Sequence, residues 1–177
     1  MYRMDALIKQ ERKLFHTRDL ALIWEIENNN TLYTLIKRYV KKGVLLPIHK
    51  GLYSTIPLEK IDPLVLGMSF IHRFAYLSCE YILGQEGVIF QQSPYITLVS
   101  SISKKFVVAK HQFLIRKMKD EFLHNPAGLK EENNCQKATL ERAIADLLYF
   151  NPHCHFDSLE AVDWKKINLI QKEVGFK

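Results

Sequence analysis

One segment of the chain combines apolar residues at helical spacing with a row of hydroxyl and cationic side chains. In residues 30–42, the apolar positions that recur at intervals of three and four are Leu32, Leu35, Ile36, Tyr39 and Val40. This spacing predicts a helix with one buried face. The opposite face then carries Thr31, Thr34, Lys37, Arg38 and Lys41. Because such groups donate hydrogen bonds to phosphates and to base edges, the segment predicts a helix that binds in a groove of duplex DNA.

Polar residues and a glycine indicate where this helix begins and ends. Asn30 can accept a hydrogen bond from an N–H group of the first turn, which caps the helix. Gly43 can adopt the left-handed conformation that closes the last turn, directly after Lys41 and Lys42. The sequence therefore predicts a single helix over residues 30–42.

Two shorter helices are expected before this one. Thr17 can cap a helix that contains Leu20, Ala21 and Trp24, and the asparagines at positions 28–30 supply the turn that follows it. A still earlier helix is expected to bury three apolar side chains, those of Met4, Leu7 and Ile8. The second and third helices would then form a helix-turn-helix.

A hairpin is predicted after the helices. Residues 44–48 and 52–56 are short and apolar, and His49, Lys50 and Gly51 between them form a turn whose glycine tolerates a positive φ. Three helices and a hairpin predict a winged helix-turn-helix domain over residues 1–57. The helix of residues 30–42 would enter the major groove, and the hairpin would touch the flanking backbone or minor groove. The residues expected to contact DNA are Asn30, Thr31, Tyr33, Thr34, Lys37, Arg38, Lys41, Lys42, His49 and Lys50.

The net positive charge is concentrated in the same part of the chain. Residues 1–55 hold ten Lys and Arg against five Asp and Glu, whereas residues 56–177 hold fifteen against fourteen. Cations bind phosphates and release condensed counterions, so a basic domain is what DNA binding requires. The alternative is an ordinary solvated face, since cations are also favoured near a helix C-terminus. The charge cluster, the turn and the hairpin together favour the first interpretation.

The composition is that of a soluble globular protein, with 47% hydrophobic and 25% charged residues among 177. The N-terminal residues do not resemble a signal peptide, and the apolar segments are shorter than the about 18 residues that span a bilayer. Cys79, Cys135 and Cys154 are odd in number and widely separated, which fits a reducing compartment. We therefore expect a cytoplasmic protein without a membrane partner.

No motif indicates a catalytic, metal or cofactor site. The chain lacks a phosphate-binding glycine loop and a His-Glu-x-x-His pattern. His153, Cys154 and His155 have no second ligand pair at the usual spacing, so we expect them to form a loop after Pro152 rather than bind a metal. An enzyme that acts on nucleic acid is the less favoured hypothesis, and we expect no catalytic residues and no cofactor.

Residues 58–177 are predicted to form a mixed α/β domain with a small antiparallel sheet on helices, which makes the whole chain α+β. Helices are expected over residues 64–70, over a segment capped by Ser78 that stops at Gly84, and over an amphipathic segment capped by Thr139. Strands are expected over residues 95–99, 106–109 and 112–118, the last two as a hairpin. Residues 158–174 have helical apolar spacing and are expected to form two helices, with Asp163 capping the second.

The predicted hairpin of this domain carries a second group of cations. This group could meet an acidic protein or extend a DNA footprint, and the alternative is a solvated edge that lysines protect from pairing. Its members are Lys104, Lys105, Lys110, Arg116 and Lys117.

Three phrases of the sequence, in this order, resemble the AbiEi family of type IV toxin–antitoxin antitoxins and related winged-helix regulators. The first comprises Phe15, Thr17, Asp19, Leu20 and Ala21, followed by the segments Lys42-Gly43-Val44-Leu45 and Lys50-Gly51-Leu52-Tyr53. The second is Tyr76-Leu77-Ser78 with Glu80 before Tyr81-Ile82-Leu83-Gly84. The third runs from Ala138-Thr139-Leu140-Glu141-Arg142-Ala143 to Asp146-Leu147-Leu148-Tyr149.

This resemblance implies an autorepressing antitoxin encoded beside a nucleotidyltransferase toxin. It implies that the winged helix binds double-stranded DNA at inverted repeats of its own promoter, and that the second domain counteracts the toxin. An alternative within the same fold is a protein whose main task is toxin neutralisation, with DNA binding secondary. The carboxylates of the three phrases, on Asp19, Glu80, Glu141 and Asp146, are expected to serve as caps, turn residues or ion-pair partners.

Overall fold

The computed structural model describes residues 3–91, 93–132, 135–160 and 162–176. The chain divides into two compact units, Met1–Asp62 and Pro63–Lys177. This boundary lies five residues after Pro57, where the sequence places the end of the first domain. The protein is a mixed α and β structure with one sheet in each unit. None of the described helices is long and apolar enough to cross a membrane.

The first unit contains helices and a three-stranded antiparallel sheet. Its elements are α1 (Arg3–Ile8), β1 (Leu14–His16), α2 (Thr17–Ile23), α3 (Asn29–Lys41), β2 (Leu46–His49), β3 (Leu52–Ser54) and a 3-10 turn (Leu58–Lys60). The strand order is β1-β3-β2. The predicted hairpin is therefore present as β2 and β3, and β1 adds a third strand that the sequence did not predict. The pairing of Phe15 with Tyr53 places β1 directly against β3.

Apolar side chains from every helix of this unit meet in one core. Phe15, Leu20 and Leu45 are fully buried there, and the rings of Trp24 and Tyr39 stack with centroids 5.2 Å apart. Leu7 is the contribution of α1, whereas Met4 and Ile8 are exposed. The prediction that all three are buried was wrong because α1 is only six residues long. So short a helix touches the core at one position.

The helix ends differ from the predicted ones by one or two residues. Asn28, not Asn30, caps α3, and its side-chain oxygen accepts a hydrogen bond from Thr31 N at 3.1 Å. Thr17 is the first residue of α2 rather than its cap, and the preceding His16 N donates to Asp19 Oδ2 at 2.7 Å. Gly43 has a φ of +70°. Val44 N donates to Tyr39 O and Gly43 N to Val40 O, so the left-handed end of α3 is confirmed.

The turn between α2 and α3 comprises residues 24–28, so that of the three predicted asparagines it contains Asn28 alone. Glu25 occupies its left-handed position with a φ of +53°. Ile26 N donates to Ala21 O at 2.9 Å and Glu25 N to Leu22 O at 3.2 Å, which is the same end motif that Gly43 closes in α3. A residue with a Cβ atom is strained in this conformation. Helix α2 therefore ends at a position that favours glycine.

Glycine at position 25 is expected to stabilise the protein. Glu25→Gly removes the strain of the left-handed backbone, and we expect the free energy of unfolding to rise by about 0.5–1 kcal/mol. Glu27→Gly is the matched control, because Glu27 carries the same charge in the same turn and has no positive φ. Urea denaturation of both variants measures the difference. Equal effects of the two substitutions would contradict the strain at Glu25.

The second unit contains a six-stranded sheet with helices on both faces. Its helices are α4 (Pro63–Ser69), α5 (Glu80–Gln85), α6 (Asp120–Leu123), α7 (Leu140–Phe150) and α8 (Trp164–Val174). Its strands are β4 (Ala75–Leu77), β5 (Tyr95–Ser100), β6 (Lys104–Val108), β7 (His111–Lys117), β8 (Leu129–Glu132) and β9 (Cys135–Ala138). The strand order is β6-β7-β5-β4-β9-β8. The pairs β4–β9 and β5–β7 are parallel, so the prediction of a small antiparallel sheet was wrong.

Close contacts hold the helices of this unit on the sheet. A Cβ atom added to Gly67 in α4 would lie 2.2 Å from Cε1 of Phe113, so the glycine allows the backbone to approach β7. Phe70 stacks on Phe106 of β6 with centroids 5.1 Å apart. Side chains alternate between the two faces of a sheet, and the strand register places Tyr76 of β4 on the face opposite to Phe113. There the Tyr76 hydroxyl accepts a hydrogen bond from Arg142 of α7.

Two of the three predicted caps in this unit are confirmed. Thr139 caps α7 by accepting a hydrogen bond from Arg142 N at 3.3 Å, and Asp163 caps α8 by accepting from the backbone N–H groups of Lys165 and Lys166. Ser78 does not cap α5, because its hydroxyl donates to Asp146 at 2.7 Å. Of the two helices expected over residues 158–174, the described residues form α8 alone, and Ala161 lies outside them.

Candidate nucleic-acid interface

The predicted amphipathic character of α3 is present in the structure. Leu32, Leu35 and Ile36 are buried in the core of the first unit. Every residue of the segment that the sequence assigned to DNA contact is exposed. These residues are Asn30, Thr31, Tyr33, Thr34, Lys37, Arg38, Lys41 and Lys42. The helix therefore presents a continuous polar and cationic face that its own packing leaves accessible.

Part of this face forms a shallow groove. Its volume is about 320 Å³, and its lining residues are Asn30, Thr31, Thr34, Leu35 and Arg38. The groove brings one amide, two hydroxyls and one guanidinium together along the first three turns of α3. An amide can pair with adenine and a guanidinium with guanine, while threonine methyl groups contact the methyl of thymine. The chemistry of the groove is suited to the edges of bases.

The cations of α3 are not neutralised within the unit. Among residues that the structure describes, Lys37, Arg38, Lys41 and Lys42 form no ion pair. In the same unit, Arg12 lies 3.4 Å from Asp19, so that cation is compensated. Three of these uncompensated positive charges lie on α3 and the fourth on Lys42 directly after it, and together they create a field that attracts phosphates.

The turn between β2 and β3 carries two further predicted contacts. His49 and Lys50 are both exposed, and Gly51 after them has a φ of +81°. The backbone oxygen of Gly51 accepts hydrogen bonds from Thr17 N at 2.9 Å and from Thr17 Oγ1 at 3.4 Å. The hairpin turn is thereby tied to the beginning of α2.

The structure does not gather the second group of cations on one surface. Lys104 and Lys105 are consecutive in β6, so their side chains leave opposite faces of the sheet. Lys110 is exposed in the β6–β7 turn and Lys117 at the end of β7. Arg116 forms an ion pair with Glu80, and its guanidinium lies 5.5 Å from the centre of the Phe150 ring. Arg116 is therefore engaged inside the second unit.

Where the structure shows partners for the carboxylates of the three phrases, these carboxylates accept hydrogen bonds or form ion pairs. Asp19 accepts from His16 N and lies near Arg12, and Asp146 forms a fully buried ion pair with Arg142. Burial raises the pKa of the Asp146 carboxyl, while Arg142 and Ser78 oppose this rise. Burial would lower the pKa of the Arg142 guanidinium, but Asp146 and Tyr76 raise it. Asp146 is thus a partner of Arg142 in the interior of the second unit.

The cysteines and histidines of the chain form no common site in the part that the structure describes. No group of three or more His, Cys, Asp or Glu side chains there could hold a metal ion. His153, Cys154 and His155 lie in a loop after α7, as predicted. Cys79 is fully buried, and burial raises the pKa of its thiol, which disfavours the reactive thiolate.

Two residues at the candidate interface were not predicted from the sequence. Asn28 caps α3 at its exposed end, and Arg18 is exposed at the beginning of α2. The run of asparagines at positions 28–30 is the sequence feature that could have indicated Asn28. No local pattern indicates the second, because the Thr17–Gly51 hydrogen bonds that place Arg18 near the hairpin turn join residues 34 positions apart.

Comparison with known proteins does not assign this chain to a family. A scan against models of protein families gives no match, and a search of curated proteins gives none either.

Proposed function

We propose that this protein is a DNA-binding transcriptional regulator whose first unit acts as a winged helix-turn-helix. The observation that carries the proposal is the exposed face of α3, where a groove is lined by Asn30, Thr31, Thr34 and Arg38 and flanked by Lys37, Lys41 and Lys42. None of these four cations has an ion-pair partner among the described residues. In this proposal α2 and α3 form the helix-turn-helix, and β2 and β3 form the wing. Helix α3 enters the major groove of double-stranded DNA, and His49 and Lys50 touch its flank.

The division of roles along α3 follows from position. Thr31, Thr34 and Arg38 line the groove and would read base edges, while Lys37, Lys41 and Lys42 would neutralise phosphates. Base contacts determine which sequence is bound, and phosphate contacts supply affinity for any sequence. In this proposal the protein acts in the cytoplasm.

We also propose a narrower role, that of an autorepressing antitoxin of the AbiEi type. This proposal rests on the three phrases that begin at Phe15, Tyr76 and Ala138. It requires an operator of inverted repeats upstream of its own gene and a nucleotidyltransferase toxin encoded beside it. Co-purification of the tagged protein with the product of the adjacent gene tests the toxin partnership. Recovery of a stable complex would support neutralisation through the second unit.

Binding to the DNA upstream of its own gene is expected to be specific and strongly dependent on salt. If four to six phosphates are contacted, a plot of log affinity against log salt concentration should have a slope of about −4 to −5. Fluorescence anisotropy with the upstream duplex and with a scrambled duplex of equal length measures both quantities.

The absence of binding to either duplex at low ionic strength would overturn the proposal. Metal-dependent cleavage of the duplex by the purified protein would favour the alternative, an enzyme that acts on nucleic acid. A slope near zero would show that the cations of α3 are a solvated face.

A further inference from the structure

We infer that Arg18 and Lys50 form a second phosphate-binding site for the DNA backbone, separate from the cations of α3. The inference rests on the proposed function and adds to it a contact from the beginning of α2. It also adds a residue, Arg18, that neither the helical spacing nor the predicted hairpin indicates.

Hydrogen bonds between α2 and the hairpin turn join the residues next to these two cations. Gly51 O accepts from Thr17 N at 2.9 Å and from Thr17 Oγ1 at 3.4 Å. Arg18 follows Thr17, and Lys50 precedes Gly51. Each cation is therefore one residue from a bonded pair, although 32 positions of sequence separate them. Their side chains can reach the same stretch of a DNA backbone.

The sheet of the first unit fixes this arrangement. His16 at the end of β1 pairs with Leu52 at the beginning of β3. Thr17 directly follows His16 and Gly51 directly precedes Leu52, so both lie beside this strand pair. A Cβ atom added to Gly51 would lie 3.4 Å from Thr17 Oγ1, which shows how closely the turn approaches α2. Because the backbone is already ordered, binding orders only two side chains, and the entropic cost of the contact is small.

Both cations are available to an anion. Arg18 and Lys50 are exposed, and neither has an ion-pair partner among residues that the structure describes. The carboxylate next to Arg18 in the sequence is that of Asp19, which accepts from His16 N at 2.7 Å and lies 3.4 Å from Arg12. Asp19 is thus engaged elsewhere. Two uncompensated positive charges on neighbouring segments favour neighbouring phosphates, which the DNA backbone supplies in a row.

Salt dependence measures the number of phosphates that each side chain neutralises. Arg18→Ala and Lys50→Ala are each expected to make the slope less negative by about 1. One counterion fewer is then released, so affinity at 0.1 M salt should fall by up to about tenfold, equally for the upstream and scrambled duplexes. Lys60→Ala is the control, because Lys60 is exposed in the 3-10 turn of the same unit. It should leave the slope unchanged.

Charge-conserving substitution separates phosphate binding from a structural role. Arg18→Lys should restore the slope of the unmodified protein, whereas a contribution of Arg18 to folding would appear as a lower melting temperature in both Arg18 variants. If Arg18→Ala and Lys50→Ala keep the original slope while the upstream duplex still binds through α3, the second site does not exist. The contact of Lys50 with the DNA flank is then also wrong, while the proposed binding of DNA through α3 stands. If the unmodified protein binds no duplex at all, the proposed function itself fails.

Discussion

Replacing Arg142 by Met is expected to lower the free energy of unfolding by about 3–5 kcal/mol, because the substitution leaves a buried carboxylate without its counterion. Arg142 and Asp146 are both fully buried, and their side chains meet at 2.8 Å within α7. Removal of one member of such a pair costs more than the pair itself contributes. The second unit should therefore depend on this arginine more than on any exposed cation.

The geometry around Arg142 accounts for the size of the expected effect. A guanidinium has five N–H groups, and in this structure each of them has an acceptor. Nε donates to Asp146, one terminal nitrogen donates to Asn125 O and Ala127 O, and the other donates to the hydroxyl of Tyr76 and to Phe122 O. These acceptors belong to β4, α6, the segment after α6 and α7 itself. Loss of the side chain would leave acceptors from several elements unsatisfied at once.

Urea denaturation of three variants tests this expectation. Arg142→Met should be the least stable, and the double variant Arg142→Met with Asp146→Leu should recover part of the loss because the unpaired charge is gone. Lys172→Met, at an exposed position of α8, should change stability by less than about 0.5 kcal/mol. If Arg142→Met does not fold, the double variant still reports on the pair. A loss below about 1 kcal/mol in Arg142→Met would show that the pair is not a principal support of the fold.

Local patterns predicted those features whose causes lie within a few residues of each other. Thr139 and Asp163 cap their helices because a side-chain oxygen reaches an N–H group two or three positions ahead. Gly43 closes α3 because glycine, which has no Cβ atom, adopts the left-handed conformation without strain. The exposed face of α3 was predictable for the same reason, since a period of 3.6 residues fixes which side chains share a face.

Features that depend on distant residues could not be predicted in this way. Ser78 precedes a helix and has the right chemistry for a cap, but its hydroxyl donates to Asp146, 68 positions later. Three consecutive asparagines can each cap α3, and the turn at Glu25 determines that Asn28 does so. In both cases tertiary structure selects among options that are locally equivalent.

The sheets show the same limit. Strands β1 and β4 have three residues each, too few for an alternating pattern to stand out. The parallel pairing of Leu77 with Lys137 joins segments 60 positions apart and turns a predicted antiparallel sheet into a mixed one. At the candidate interface, the position of Arg18 depends on Thr17 and Gly51 in the same manner.

Arg38 and Lys41 are expected to differ in what their loss does to DNA binding, although both are exposed cations of α3. Arg38 lines the groove with Thr31 and Thr34, whereas Lys41 is the last residue of the helix and does not line it. Arg38→Ala should weaken binding to the upstream duplex by about 5- to 150-fold, the equivalent of about 1–3 kcal/mol for one base contact, and should relax the preference at that base. Lys41→Ala should weaken all duplexes alike and reduce the salt slope by about 1.

Arg38→Lys separates charge from geometry at this position. Lysine keeps the positive charge but lacks the planar fork that pairs with two acceptors of guanine. We therefore expect this variant to bind the scrambled duplex as the unmodified protein does and to remain weak on the upstream duplex. Anisotropy titrations of both duplexes, with single-base substitutions in the upstream one, measure the two effects. If Arg38→Lys binds the upstream duplex with full specificity, Arg38 contacts a phosphate rather than a base. If Lys41→Ala loses the preference for one base, Lys41 contacts a base rather than a phosphate.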